Sequence, residues 1–146
     1  MLKRITHTFI HVLDQDQALD FYVGKLGMVI HTDADLGFMR WLTVSPPEQP
    51  DFELGLMAPG PPAYDPATVE QIRELVTKGG AGGGVIFETD DCQGTYDKLR
   101  AAGVEFTQEP PSGFTARTAR CATPSATRSA SPSHPRGRLW CRRQAN

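Results

Sequence analysis

The stretch "ITHTFIHVL" sets two imidazoles along one side of an extended chain. With a period of two, Ile5, His7, Phe9 and His11 share one face, and Thr6, Thr8, Ile10 and Val12 share the other. Imidazoles beside an aromatic ring can ligate a metal, move a proton or hold a polar group of a ligand. Glu53, in "FELGL", is a candidate general base. Burial beside an indole such as that of Trp41 raises a carboxyl pKa and lets the group accept a proton, whereas a solvated Glu53 only lines a cavity. Trp41 serves equally as packing or as a surface on which a ligand stacks. Cys92 opens a helix, a position that favours thiolate character, although a quiet helix-start residue is the plainer reading. No Ser/His/Asp order, phosphate loop or zinc spacing stands out. The glycine run at 79–84 does not fit the dinucleotide fingerprint, because its strand follows it; it reads as a hinge.

These side chains need elements to hold them. Asp14 stands where a helix N-cap belongs, Ala18, Leu19, Phe21, Tyr22 and Leu26 follow at helical spacing, and Gly27 ends the run. "MVIHTDA", "FMRWLTV" and "FELGLM" read as three more strands, so the order is β-α-β-β-β within Ile5 to Met57. "APGPPAYDP" is a loop. A helix follows it, with Val69, Ile72, Leu75 and Val76 on one stripe. "VIFET", "DDCQGTYDKLRAAG" and "VEFTQEP" then repeat the opening plan of strand, Asp-capped helix, terminal glycine and strand. Helices are predicted near Asp14 to Gly24, Ala67 to Lys78 and Asp91 to Ala102, and "FMRWLTV" and "FELGLM" as adjacent antiparallel strands.

A chain of 146 residues builds one core, and no run approaches the ~18 apolar residues of a membrane span. Three cysteines without CxxC spacing predict a reduced, cytoplasmic protein. Charge divides the chain in two. Residues 1–110 hold all 17 acidic residues against 8 Lys and Arg, a formal −9. Residues 111–146 hold no acid and no Lys but 7 Arg, which brings the whole to −2.

Residues 5–110 resemble the glyoxalase, bleomycin-resistance and extradiol-dioxygenase superfamily, the vicinal oxygen chelate proteins. "HTFIHVLDQDQALDFYVGKLGM", "FELGL" and "GGGVIFETDDCQGTYDKLRAAGVEF" carry the resemblance, above all the pattern Asp-x-x-x-Ala-x-x-Phe-Tyr-x-x-x-Leu-Gly from Asp14 to Gly27. It implies an α+β fold of paired βαβββ modules around an open cavity. Leu42, Val44, Leu54 and Leu56 would face the helices. Met39, Trp41, Thr43, Glu53 and Met57 would face the cavity beside His7, Phe9 and His11. Metal-using relatives place His or Glu on four inward strands. In this chain the resemblance puts the first ligand on His7 and the second on Glu53. The third falls on Gly84, which has no donor, and the fourth lies in the tail. His11 and Glu88 are polar groups that could add donors, but they stand outside that pattern. Two ligands fall short of the three that an open catalytic site needs.

Relatives end the second module with a string of the type GxxxxxxDPFGNxIxI, and this chain ends otherwise. Reading one base over, Thr115 to Pro132 permits "YGTDCAVRDPFGNPIRIT", the missing ending. The resemblance therefore implies a domain at 1–110 and a basic tail at 111–146 that is read out of frame, truncating the second module. A natural disordered tail and a nucleic-acid arm are the other readings. The arm lacks interleaved aromatics, so neither nucleic acid nor membrane is expected as a partner. Only Phe114, Leu139 and Trp140 are large and apolar beyond Pro111, which predicts no regular pairing from about Ser112 onward.

Two functions follow from the resemblance. One is an enzyme of glyoxalase-like lyase, isomerase or dioxygenase type acting on a small oxygen-bearing molecule, with Glu53 catalytic, His7 and Glu53 on a divalent metal, and Phe9, His11, Trp41, Met57 and Glu88 around the substrate. The other is a metal-free protein that binds or sequesters a small, partly aromatic compound, without cofactor. The missing third ligand favours the second. Either is expected as a homodimer, since such modules complete one another's sheets.

Overall fold

The computed structural model describes residues 1–80 and 84–106, with the backbone alone at 107–108, 120–121 and 138–142. The strands alternate as their residues require. β1 (His7–His11), β2 (Val29–Asp35), β3 (Arg40–Ser45) and β4 (Glu53–Met57) form one sheet in the order β1-β4-β3-β2. β1 runs parallel to β4, with His7 opposite Glu53 and His11 opposite Met57. β3 pairs antiparallel with both β4 and β2, as predicted for "FMRWLTV" and "FELGLM". Leu54 and Leu56 on β4 and Leu42 and Val44 on β3 are buried. Together with Ile10 and Val12 they form the apolar side of the sheet.

The first helical segment lies against that side. Asp14 caps α1 (Gln15–Leu19), accepting from the backbone amides of Asp16 and Gln17 at 2.9 Å each. The plain helix expected as far as Gly24 widens at Asp20–Lys25 into a π-helical turn, where the Leu26 amide bonds the Phe21 carbonyl. The wider winding lets two neighbours, Phe21 and Tyr22, both enter the core, with their rings 5.1 Å apart and nearly perpendicular. Gly27 closes the segment at φ 74°, a conformation that side-chain-bearing residues rarely adopt.

α2 (Pro66–Thr77) is capped by Asp65 and begins with proline, whose missing N–H costs nothing in a first turn. Of its predicted stripe only Val76 is buried, and Leu75 is exposed. The opening plan then recurs as β5 (Gly84–Glu88), α3 (Cys92–Ala101) and β6 (Phe106–Gln108). Leu99 of α3 and Val104 join the same core as the first sheet, so both halves share one interior.

Two short pairings reach the tail: β7 (Arg120–Cys121) beside β6, and β8 (Arg138–Arg142) parallel to β5. The expectation of no regular pairing beyond about Ser112 is not met at these places. Unpaired strand edges bond any extended backbone, whatever its side chains, and composition does not register this. The rest of the decoded stretch from Thr115 to Pro132 lies outside the described residues. Among the described residues no helix is long and apolar enough to cross a membrane.

Candidate functional site

The face of the sheet opposite the core carries the polar and aromatic residues. Parallel register sets His7 directly beside Glu53, with Nε2 3.2 Å from Oε1. The other carboxylate oxygen lies 3.2 Å from Nδ1 of His31 and accepts a 2.6 Å hydrogen bond from Thr43 Oγ1. Glu53 is thus held between two imidazoles and a hydroxyl, its side chain only 14% exposed. The second ring nitrogen of His7 meets Thr6 Oγ1 at 2.9 Å.

His31 reaches this group because β2 is irregular. Ile30 pairs with Val44 and Thr32 with Thr43, so His31 is an extra residue opposite Thr43. A bulge of this kind re-aims side chains. Reading the sequence by strict alternation passed over His31. Its position opposite the inward-facing Thr43 was the available signal, but that needs the register of β2 on β3.

An aromatic wall stands beside the polar group. The Phe9 and Trp41 rings meet edge-on with centroids 5.3 Å apart, and the His7 ring lies 6.5 Å from Phe9 and 6.4 Å from Trp41. Gly55 makes this wall possible. A Cβ there would fall 2.2 Å from the Phe9 ring, so the ring lies across β4 where only glycine leaves room. Phe9 is 42% exposed, a large apolar surface open on the side of the polar cluster.

At the far end of β1, His11 Nε2 and the Tyr64 hydroxyl are 3.1 Å apart, and partial burial lowers the His11 pKa from its ordinary value. Met57 is opposite His11 in register and partly buried. The sheet is fastened to α1 by Gln15, whose side-chain amide donates to the carbonyls of Arg40 and Leu56. Arg40 grips both Asp33 carboxylate oxygens and one of Asp16, which holds Asp33 below its ordinary pKa and raises that of Arg40.

The structure therefore brings together His7, Glu53, Phe9, Trp41 and Thr43 of the residues singled out from sequence, places His11 and Met57 further along the same strand pair, and adds His31. Glu88 lines another cavity, of about 510 Å³, with Cys92, Thr95, Tyr96 and Phe106; His7, Phe9, Trp41 and Glu53 are not among its lining residues. Cys92 is buried there at the start of α3.

Residues 4–128 match the Glyoxalase/Bleomycin resistance protein/Dioxygenase superfamily. The chain belongs to that superfamily. An uncharacterized protein of Bacillus subtilis (strain 168), YurT, is 39% identical over 108 residues, covering 73% of this chain and 80% of that one. The solved structure of UcmS2 is similar across 98% of both chains, with 36% identity and a TM-score of 0.79. TnmS3, an antibiotic binding protein from Streptomyces sp. CB03234, shares the fold at a TM-score of 0.69 and 21% identity, over 99% of this chain and 98% of that one.

Divalent metals are common in the superfamily, and the donors among the described residues of this chain do not make up a complete group for one. His7 pairs with Glu53 in the first module, and the corresponding parallel register in the second pairs Gly84 with Arg138, neither of which is a metal donor. Among the described residues no group of three or more His, Cys, Asp or Glu could hold a metal ion.

Proposed function

We propose that this superfamily member binds a small, partly aromatic, oxygen-bearing molecule on the open face of the β1–β4 sheet, without a metal. The observation that carries the reading is the side-by-side arrangement of an apolar wall, Phe9 with Trp41, and a polar group, Glu53 held by His7, His31 and Thr43. A flat ring packs against the wall while its oxygen substituents reach the polar group, and His11 and Met57 border the far end. Gly84, in the register position where a further donor would stand, supports binding over metal-assisted chemistry. The fold serves binding in the Streptomyces antibiotic binding protein as well.

Metal analysis and ligand titration test this together. Purified protein is expected to hold clearly less than one equivalent of Zn, Ni, Mn or Fe per chain. Planar aromatic compounds are expected to quench tryptophan fluorescence equally with and without EDTA, and Phe9→Ala to weaken them about tenfold, the worth of one aromatic contact. A tightly bound stoichiometric metal that is lost in His7→Ala would overturn the reading. The shielded position of Glu53 between two imidazoles favours one alternative, in which that carboxylate takes a proton from the bound molecule in lyase or isomerase chemistry. Turnover of a bound compound, abolished in Glu53→Gln, would establish it.

The assembly we propose is a homodimer in the cytoplasm. Support for the dimer comes from β2, an edge strand with Val29 and Ile30 exposed, and from Phe38 at its hairpin, 61% exposed. Support for a reducing compartment comes from the odd count of three cysteines without CxxC spacing. Sedimentation equilibrium is expected to return the mass of two chains; a single-chain mass at high concentration would sink the dimer. We also propose that the tail from about residue 112 is read out of frame, which leaves the second module without its own last strands.

A further inference from the structure

We infer that His31 is a specificity-determining residue, a hydrogen-bond acceptor that selects ligands carrying a phenolic or enolic hydroxyl. The inference rests on the binding reading above and goes further in naming the group recognised. Nδ1 of His31 lies 3.2 Å from Glu53 Oε2. A negative carboxylate this close favours an N–H over a lone pair on the nearer nitrogen, so the proton of the neutral ring sits on Nδ1. Thr32 Oγ1, 3.3 Å from the same nitrogen, leaves that assignment unchanged, because a hydroxyl oxygen can accept as well as donate. Nε2 then carries the lone pair, and it has no partner among the described residues.

The neighbouring groups sharpen the choice. Nε2 of His7 faces the other Glu53 oxygen, so by the same argument it holds a proton, and its Nδ1 accepts from the Thr6 hydroxyl. Thr43 donates its hydroxyl to Glu53. His7 and Thr43 are engaged with Glu53, whose carboxylate is shielded at 14% exposure, and Nε2 of His31, on a side chain 42% exposed, is the imidazole lone pair of the cluster without a partner among the described residues. An acceptor beside an aromatic wall matches an aromatic molecule with an O–H on its ring. Its methyl ether has the same shape and no proton to give. A site built around a hydrogen bond rejects an analogue that cannot make it more strongly than it rejects a small change of size.

The test uses 2-naphthol and 2-methoxynaphthalene as probes, with dissociation constants measured by calorimetry on the full chain at pH 8. Naphthol is expected to bind at least tenfold more tightly than the ether. His31→Phe should remove the preference, and His31→Gln, which restores an acceptor oxygen, should recover part of it. The side chain is on an exposed edge strand, so both variants should fold; two-bond ¹H–¹⁵N spectra of the ligand-free protein supply a readout that does not depend on binding. They should show the His31 proton on Nδ1. Equal affinity for the two probes, a preference that survives His31→Phe, or a proton on Nε2 overturns this inference while leaving the aromatic site standing. Failure of both probes to bind overturns the binding reading and the inference with it.

Discussion

Leu54→Ala is expected to lower the free energy of unfolding by about 2–5 kcal/mol, the range for truncating a fully buried leucine when its surroundings cannot collapse. Leu54 is 2% exposed in the strand that pairs with both β1 and β3, and it sits in a core shared with Leu99 of the second half. The packing therefore has no free side from which to close the hole. A domain of this size has about 5–15 kcal/mol in total, so the loss is a large share. Urea denaturation should show a lower midpoint with an unchanged slope. A loss below about 1 kcal/mol would mean that β4 does not rest on the core as described. The neighbouring positions make a control, because Glu53 and Gly55 point to the opposite face and bear on the site instead.

Restoring the reading frame after Pro110 is expected to stabilise the chain by about 2 kcal/mol or more. The decoded ending "YGTDCAVRDPFGNPIRIT" carries a valine, a phenylalanine and two isoleucines, each worth about 1.5–3 kcal/mol when buried. In the present tail only Phe114, Leu139 and Trp140 are comparable, spread over 36 residues. β5 and β6 already accept backbone partners from the tail, so the edges that the restored strands would occupy are open to pairing. Thermal and urea unfolding of the two chains compare them directly. A frame-restored protein no more stable than this one would count against the proposal, as would genomic DNA that reads through without a single-base difference. The family match runs on to residue 128, so it does not itself mark a frame change after Pro110, and these two measurements decide the question.

Most of the fold was legible in the order of residues because its signals are local. A carboxylate at Asp14 or Asp65 satisfies free amides within three residues, a glycine at position 27 permits a positive φ, and alternation along "FELGLM" sorts Leu54 and Leu56 from Glu53 and Gly55. Alternation sorted the faces within each strand, and the resemblance to the superfamily then set His7, Phe9, Trp41 and Glu53 toward one cavity. What alternation could not supply was register. His31 reaches Glu53 through an irregularity between two strands, the Phe9 ring lies flat because the residue across from it is Gly55, and β6 and β5 take up backbone from a tail whose composition argues against pairing. Each of these depends on which residue of one strand stands opposite which residue of another. Residues far apart in sequence set that relation together, so only the tertiary structure decides it.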